Sequence, residues 1–210
     1  MSGERFYEAP LTGLRRSAPA ATRNREPISQ VLEDWLPSSG LVLEIASGTG
    51  EHVIYFAERF PNLDWQPSDI HQDALSSIEQ WREAADRPNI RAPLVIDASS
   101  PDWPIERADA LLSINMVHIS PWASALGLLD GASRLLAPGA PLILYGPWLK
   151  DDVEPAASNL DFDAQLKERD PEWGLRNVED FASEAAERGL VLVETRAMPA
   201  NNLMLLLRRR

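Results

Sequence analysis

The sequence contains no cysteine, which excludes disulfide bonds, thiolate metal sites and a cysteine nucleophile. It also has no apolar run approaching the length of a membrane span. The first residues, MSGERFYEAPLTGLRRSAPAATRNR, include no apolar core of the kind found in secretory signals. The 3 histidines are widely dispersed, so a metal site is not expected. These absences predict a cytoplasmic protein that does not associate with a membrane.

The sequence also has fewer basic than acidic residues. The chain has 20 basic and 32 acidic residues, which gives a formal net charge of -12. Such a surface repels nucleic-acid phosphates, so we expect a small-molecule substrate and no nucleic-acid partner. A basic protein substrate remains an alternative because the acidic surface would attract it. The sequence leaves the oligomeric state open, with a homodimer as one alternative.

The pattern of apolar residues predicts one α/β domain spanning 1–210. Residues 1–26 are predicted to be an N-terminal arm or lid, and Pro27 suits the first position of a helix. Helical patterns or long connections separate the early strands, which are therefore expected to be parallel, whereas the last two strands form an antiparallel hairpin. The predicted strands cover 41–45, 63–68, 90–96, 108–114, 140–145, 190–197 and 203–208.

The segment 147–176 is too long for an ordinary connection between a strand and a helix. It contains several aromatic residues and a helical pattern around Phe162, so we expect an ordered cap over the substrate. A plain surface excursion is the alternative. Within it, Glu168-Arg169-Asp170 is most simply a solvated face.

The stretch from Glu44 to Gly50, EIASGTG, connects the first strand to a helix through small residues. Small residues at this turn let a ligand approach the main chain. A dinucleotide site would need Gly or Ala at Val53, and Glu44 would repel a pyrophosphate. The alternative ligand for such a turn is S-adenosylmethionine, which carries an ammonium and a sulfonium and so suits an acid within the strand.

Two further acids follow the next strands. Asp69 ends the second strand, where a carboxylate accepts hydrogen bonds from ribose hydroxyls. Asp97 ends the third strand, where the exocyclic amine of adenine needs an acceptor. Together with Glu44, these acids predict a site for a cationic nucleoside at the carboxyl edge of the sheet.

This combination resembles the class I S-adenosylmethionine-dependent methyltransferases over roughly 27–208. The resemblance implies a doubly wound, Rossmann-like sheet of seven strands in the order 3-2-1-4-5-7-6, with the last strand antiparallel and helices on both faces. Ala46 stands where the family usually has its first glycine, and alanine fits there if the backbone dihedrals are ordinary. The segments ATRNREPI, IASGTGEH, NMVHI, YGP and MPANN also resemble a small methyltransferase-like family once classed as a domain of unknown function.

The resemblance implies S-adenosylmethionine as the cofactor. The residues expected to bind it are Asn24, Glu44, Ala46, Ser47, Gly48, Gly50, Asp69, Ile70, Asp97, Ala98 and Asn115. Arg23 or Arg25 in the arm could instead hold the cofactor carboxylate, or the arm is simply solvated.

Candidates on the substrate side lie after the fourth and later strands. His118 is a candidate general base, and a buried, hydrogen-bonded histidine that shapes the pocket is an equal alternative. Asn115 and Tyr145 are expected near the substrate. In the hairpin turn, Asn202 is expected to reach the substrate and Asn201 to serve the turn itself. His52 and His71 are expected to pack on a loop and to lie exposed, respectively.

The sequence therefore predicts an enzyme that transfers a methyl group from S-adenosylmethionine to a small molecule by in-line displacement. A non-catalytic S-adenosylmethionine-binding module and a protein methyltransferase are the alternatives. A closed pocket favours catalysis on a small molecule, whereas an open, flat face favours a protein partner. A nicotinamide oxidoreductase is opposed by Val53 and Glu44.

Overall fold

The computed structural model describes residues 15–210. Seven helical segments and seven strands follow one another along this part of the chain. The helices are α1 (Pro19–Trp35), α2 (Glu51–Arg59), α3 (Gln72–Ala85), α4 (Trp122–Leu135), α5 (Ala157–Arg169) and α6 (Val178–Glu187), with a 3₁₀ turn at Met116–His118. The strands are β1 (Gly40–Ile45), β2 (Leu63–Asp69), β3 (Leu94–Val95), β4 (Ala110–Ile114), β5 (Pro141–Gly146), β6 (Leu190–Met198) and β7 (Asn202–Arg209).

The strands form one sheet in the order β3-β2-β1-β4-β5-β7-β6. Neighbours from β3 to β5 pair in parallel, whereas β7 runs antiparallel to both β5 and β6. The predicted fold class, strand order and terminal hairpin are confirmed. Met198 pairs with Asn202 next to Gly146 at the end of β5, so the hairpin turn lies at the carboxyl edge as expected.

Helices cover both faces of the sheet because its central strands are apolar on both sides. On one face, Val42 of β1 packs in a core formed with α1 and α2. On the other face, Leu43 packs in a core formed with α4 and α6. Adjacent residues of one strand thus anchor opposite layers, and the carboxyl edge remains free for a site.

Two predicted boundaries are wrong. α1 begins at Pro19, and Pro27 lies inside the helix, so 19–26 belong to a helix and not to an arm. The alanines at 20 and 21 favour helix, and Pro19 takes the early position that tolerates proline. Residues 1–14 of the predicted arm lie outside the described part of the chain.

The third strand is also shorter than expected. It covers only Leu94–Val95 instead of 90–96, and Ile90 makes just an isolated bridge to Trp65. Pro93 explains the difference because it has no N–H to donate to the ladder. The acid at Asp97 nevertheless follows this short strand as predicted.

Candidate functional site

A cavity of about 500 Å³ opens at the carboxyl edge of the sheet. This volume falls within the usual range of small-molecule pockets. Its floor consists of the ends of β1, β2 and β4 and the chain after β3, around the point between β1 and β4 where the strand order reverses. Residues of α1, of the start of α4 and of the turn after α5 form its walls. A groove of about 760 Å³ at the opposite edge contains none of the predicted site residues.

Glu44 is the buried acid of this cavity. Its side chain is 1% exposed, and its Oε2 has no hydrogen-bond partner among the described residues. Burial raises the pKa of Glu44 to about 7, a hydrogen bond from Ser47 opposes the rise, and the charge of Asp69 adds to it. Burying an unpaired carboxylate costs free energy. The site is therefore suited to a ligand that brings a positive charge to Glu44.

Asp69 and Asp97 complete the predicted set of acids, and the structure brings all three to one cavity. Asp69 accepts the Gly48 N–H at 3.0 Å and the His71 N–H at 2.9 Å, which fix both carboxylate oxygens. Burial raises the pKa of Asp69 although these backbone bonds oppose the rise. Asp97 is held by the N–H and hydroxyl of Ser99, at 2.9 and 2.7 Å. Both oxygens of Asp69 and the Oδ2 of Asp97 still have a lone pair available for a ligand donor.

The glycine turn has left-handed backbone at Ala46, Gly48 and Gly50, with φ of 58°, 58° and 89°. The dihedrals at Ala46 are thus not ordinary, and an alanine in this region costs about 1 kcal/mol. Such strain is frequent beside ligands. Gly50 does not line the cavity, which contradicts its predicted cofactor role. A Cβ at Gly50 would lie 2.9 Å from the Ile78 Cα, so this glycine makes room for α3.

The first turns of α1 form one wall, through Ala18, Ala20, Ala21 and Asn24. Asn24 lies 2.8 Å from His52, measured between Oδ1 and Nε2. Burial, with a smaller effect of Arg25, lowers the pKa of His52 to about 4, so the neutral ring donates to Asn24. His52 thus contacts α1 through Asn24, and it also lines the cavity.

Glu51 fastens this wall to the glycine turn. Its carboxylate, only 7% exposed, accepts the Ala18 N–H at 2.6 Å, the Ser17 hydroxyl at 2.9 Å and the Thr49 hydroxyl at 3.1 Å. Replacing Glu51 with alanine would leave the buried Thr49 hydroxyl and the half-buried donors of Ser17 and Ala18 unpaired; an unsatisfied buried donor costs about 1–3 kcal/mol.

We expect Glu51→Ala to lower the free energy of unfolding by about 2 kcal/mol and to free the start of α1. Trypsin should then cut faster at Arg15 or Arg16, which mass spectrometry of the fragments would show. The control is Glu58→Ala on the same helix, whose exposed side chain pairs only with Arg87 among the described residues. Equal cleavage rates in the two variants would contradict the fastening role.

The opposite wall begins at Asn115, whose backbone is left-handed with φ of 64° and whose N–H bonds the Tyr145 carbonyl. Ser120 and Ser124, near the start of α4, continue this wall. The predicted cap is ordered and contains α5, but only Asp170 and Trp173 of it line the cavity. Of the predicted solvated face, Glu168 and Arg169 are exposed as expected, whereas Asp170 is half-buried and lines the cavity.

Three predicted substrate residues lie elsewhere. His118 is fully buried, packs edge-on against Trp148 with ring centroids 4.7 Å apart, and does not line the cavity. Burial lowers its pKa to about 3, and a Cβ on Gly146 would come within 2.4 Å of its Nε2. The structure contradicts a base that meets substrate. The ring is buried as in the alternative, but neither ring nitrogen has a hydrogen-bond partner among the described residues, so the expected hydrogen bond is not seen. Asn202 donates to the Pro199 and Ala200 carbonyls within its own turn, and Tyr145 is buried and does not line the cavity.

The remaining predicted cofactor residues line the cavity, and so does His71, which is exposed as expected. These cofactor residues are Asn24, Glu44, Ala46, Ser47, Gly48, Asp69, Ile70, Asp97, Ala98 and Asn115. The sequence did not indicate the contributions of Thr49, Ser120, Ser124 and Asp170. Thr49 lies inside the glycine turn itself, whereas Ser120, Ser124 and Asp170 come from segments in which we recognise no motif, so only the tertiary fold brings these three to the site.

A family model described as "Protein of unknown function (DUF938)" matches residues 15–209 of the chain. The chain belongs to this family. The predicted resemblance to a family once classed as a domain of unknown function is thus confirmed. In the described part of this DUF938 chain, no helix is both long and apolar enough to span a bilayer.

Several solved structures that are similar to this DUF938 chain are methyltransferases. An O-methyltransferase family protein from Burkholderia thailandensis is 19% identical, with a TM-score of 0.77 over 90% of this chain and 57% of that protein. Human N-acetylserotonin methyltransferase in complex with S-adenosylmethionine is 16% identical, with a TM-score of 0.75 over 90% of this chain and 52% of that protein. The chain spans a little over half the length of these relatives, and the likeness establishes the class I methyltransferase fold.

Proposed function

We propose that this protein transfers a methyl group from S-adenosylmethionine to a small-molecule acceptor. The observation that carries the proposal is the buried, unpartnered Oε2 of Glu44 inside a cavity that Asp69 and Asp97 also line. A cationic nucleoside would satisfy all three acids at once, whereas a dinucleotide would bring its phosphates against Glu44.

Each acid has a distinct part in this proposal. Glu44 lies at the end of β1 and would face the cationic part of the cofactor. Asp69, held by Gly48 and His71, would accept the ribose hydroxyls, and Asp97 with the neighbouring Ala98 would meet the adenine. The cofactor would supply a methyl group on a sulfonium, which is already a good leaving group. The residues of the chain need then only orient the acceptor for in-line displacement.

The shape of the cavity supports a small acceptor. α1 walls it on one side, and the turn carrying Asp170 and Trp173 walls it on another. Backbone bonds tie that turn to the loop after β4, since Gly174 donates to the His118 carbonyl at 3.0 Å. A walled cavity favours a small molecule over a protein chain and favours turnover over a purely regulatory role.

Calorimetric titration with S-adenosylmethionine and S-adenosylhomocysteine tests the proposal, with NAD⁺ as the negative control. We expect both nucleosides to bind the wild type and Asp69→Asn to weaken each by about tenfold or more, because a charged hydrogen bond is worth about 1.5–3 kcal/mol. The matched control is Asp64→Asn, on the same strand but exposed and paired with Arg91. Absence of binding to the wild type, or NAD⁺ binding in its place, would refute the proposal.

A further inference from the structure

The charged side chains around the cavity are of one sign. Of the described residues that line it, Glu44, Asp69, Asp97 and Asp170 are acidic, and none is an arginine or lysine. The first three lie at successive strand ends, where the proposed function uses them for the cofactor. Asp170 lies apart from them, on the turn after α5, together with Trp173. The acceptor side of the cavity therefore has its own carboxylate and its own aromatic ring.

A tight turn holds these two side chains in place. The Trp173 N–H donates to the Asp170 carbonyl at 3.0 Å, and Pro171 occupies the position of the turn that proline favours. The Oδ1 of Asp170 accepts the Glu172 N–H at 2.9 Å, which fixes the direction of the carboxylate. Both residues are half-buried. Asp170 and Trp173 thus line the cavity on a turn whose backbone is held by hydrogen bonds.

Arg176, which follows this turn, is engaged outside the cavity. Arg176 donates to the carbonyls of Val117 and Ser120, at 3.2 and 2.9 Å, and lies over the Trp122 ring. It does not line the cavity. His52, on the opposite wall, is held neutral by burial. An acceptor with a carboxylate or phosphate would therefore meet Asp170 without a compensating cationic side chain from the described residues.

From this arrangement we propose that the acceptor is a small molecule that carries a protonated amino group, which is bound by the carboxylate of Asp170 and the indole ring of Trp173. A carboxylate and an aromatic face are the partners that bind an ammonium group best, through a charged hydrogen bond and a cation–π contact. This inference rests on the proposed function. It concerns recognition of the acceptor and leaves open which of its atoms receives the methyl group.

Tryptamine and indole-3-propionate provide a matched pair of probes, with the same ring and side-chain length but opposite charge. Each is titrated calorimetrically into the full-length protein saturated with S-adenosylhomocysteine, whose own binding is measured first. We expect tryptamine to bind at least about fivefold more tightly than indole-3-propionate, a ratio typical of one partly exposed charged contact. Asp170→Asn should abolish most of this preference, and Trp173→Leu should weaken tryptamine binding in particular.

The control variant is Glu172→Gln, which removes the same charge two residues away from an exposed side chain of the same turn. It should retain the preference for tryptamine. Equal or tighter binding of indole-3-propionate, binding of neither probe, or an unchanged preference in Asp170→Asn would overturn the proposal. Failure of S-adenosylhomocysteine to bind would instead reject the proposed cofactor, so the two failures are separable.

Discussion

The free energy of unfolding of the wild type is expected to fall between pH 4.5 and pH 7, and Glu44→Gln is expected to abolish this fall. Burial raises the pKa of Glu44 from its ordinary 4.5 to about 7, so the folded state holds a proton that the unfolded state releases. Its contribution to stability is fully present below pH 4.5 and is lost as the pH rises through 7. The loss amounts to about 3 kcal/mol for a shift of this size. Glutamine has no proton to lose, so this contribution disappears.

The same substitution is expected to weaken cofactor binding by at least about tenfold, because a buried carboxylate paired with a cation is replaced by a neutral amide. In the wild type, affinity should rise from pH 5 to pH 7 as Glu44 ionises, whereas in Glu44→Gln this rise should disappear. Stability and affinity thus move in opposite directions, as is common at binding sites.

Urea denaturation of the ligand-free protein at several pH values measures the first effect, and titration with S-adenosylhomocysteine at the same values measures the second. Glu194→Gln is a suitable control because the Glu194 carboxylate accepts hydrogen bonds from the Trp35 and Arg196 side chains, and Glu194 does not line the cavity. Parallel pH profiles of wild type and Glu44→Gln would show that Glu44 is not the titrating group.

The strands and helices are well predicted because each is specified by residues that lie close together in the sequence. The alternation of apolar runs with helical patterns and the short connection before Asn202 predict parallel strands followed by an antiparallel hairpin, and the resemblance to the class I methyltransferases implies the strand order. The acids at Asp69 and Asp97 are predictable for a related reason, since the ends of parallel strands meet at one edge. Pro93 shortens β3 without moving Asp97 from that edge.

The predictions fail where tertiary packing decides a role. His118 follows β4 at the functional edge, yet the space left by Gly146 places its ring inside the core against Trp148. Asn202 follows the hairpin turn at the same edge but satisfies carbonyls of its own turn. Asp170 looks like part of a charged surface helix, and only the fold of the cap brings it to the cavity. The position of a residue after a strand determines at which edge of the sheet it lies. The direction of its side chain depends on packing partners that are distant in sequence.

Gly127→Ala is expected to destabilise the protein by at least about 2 kcal/mol, against the rule that alanine stabilises a helix interior relative to glycine by about 1 kcal/mol. A Cβ at Gly127 of α4 would lie 2.0 Å from the Ala98 carbonyl oxygen and 2.9 Å from the Ser99 Cα. Both atoms belong to the main chain, so no side-chain rotation relieves the overlap. The helix and the chain after β3 must separate.

The displaced segment is the one that carries Asp97 and Ala98 into the cavity, so Gly127→Ala should also weaken S-adenosylhomocysteine binding by about tenfold. Ala123→Gly on the exposed side of α4 is the matched control: it costs only helix propensity, about 1 kcal/mol or less, and should leave affinity unchanged. Urea denaturation of both variants measures the change in stability, and titration with S-adenosylhomocysteine measures the change in affinity. If Gly127→Ala proved as stable as the wild type, with normal affinity, α4 would not hold the segment that carries Asp97, and the adenine side of the proposed site would lose its support.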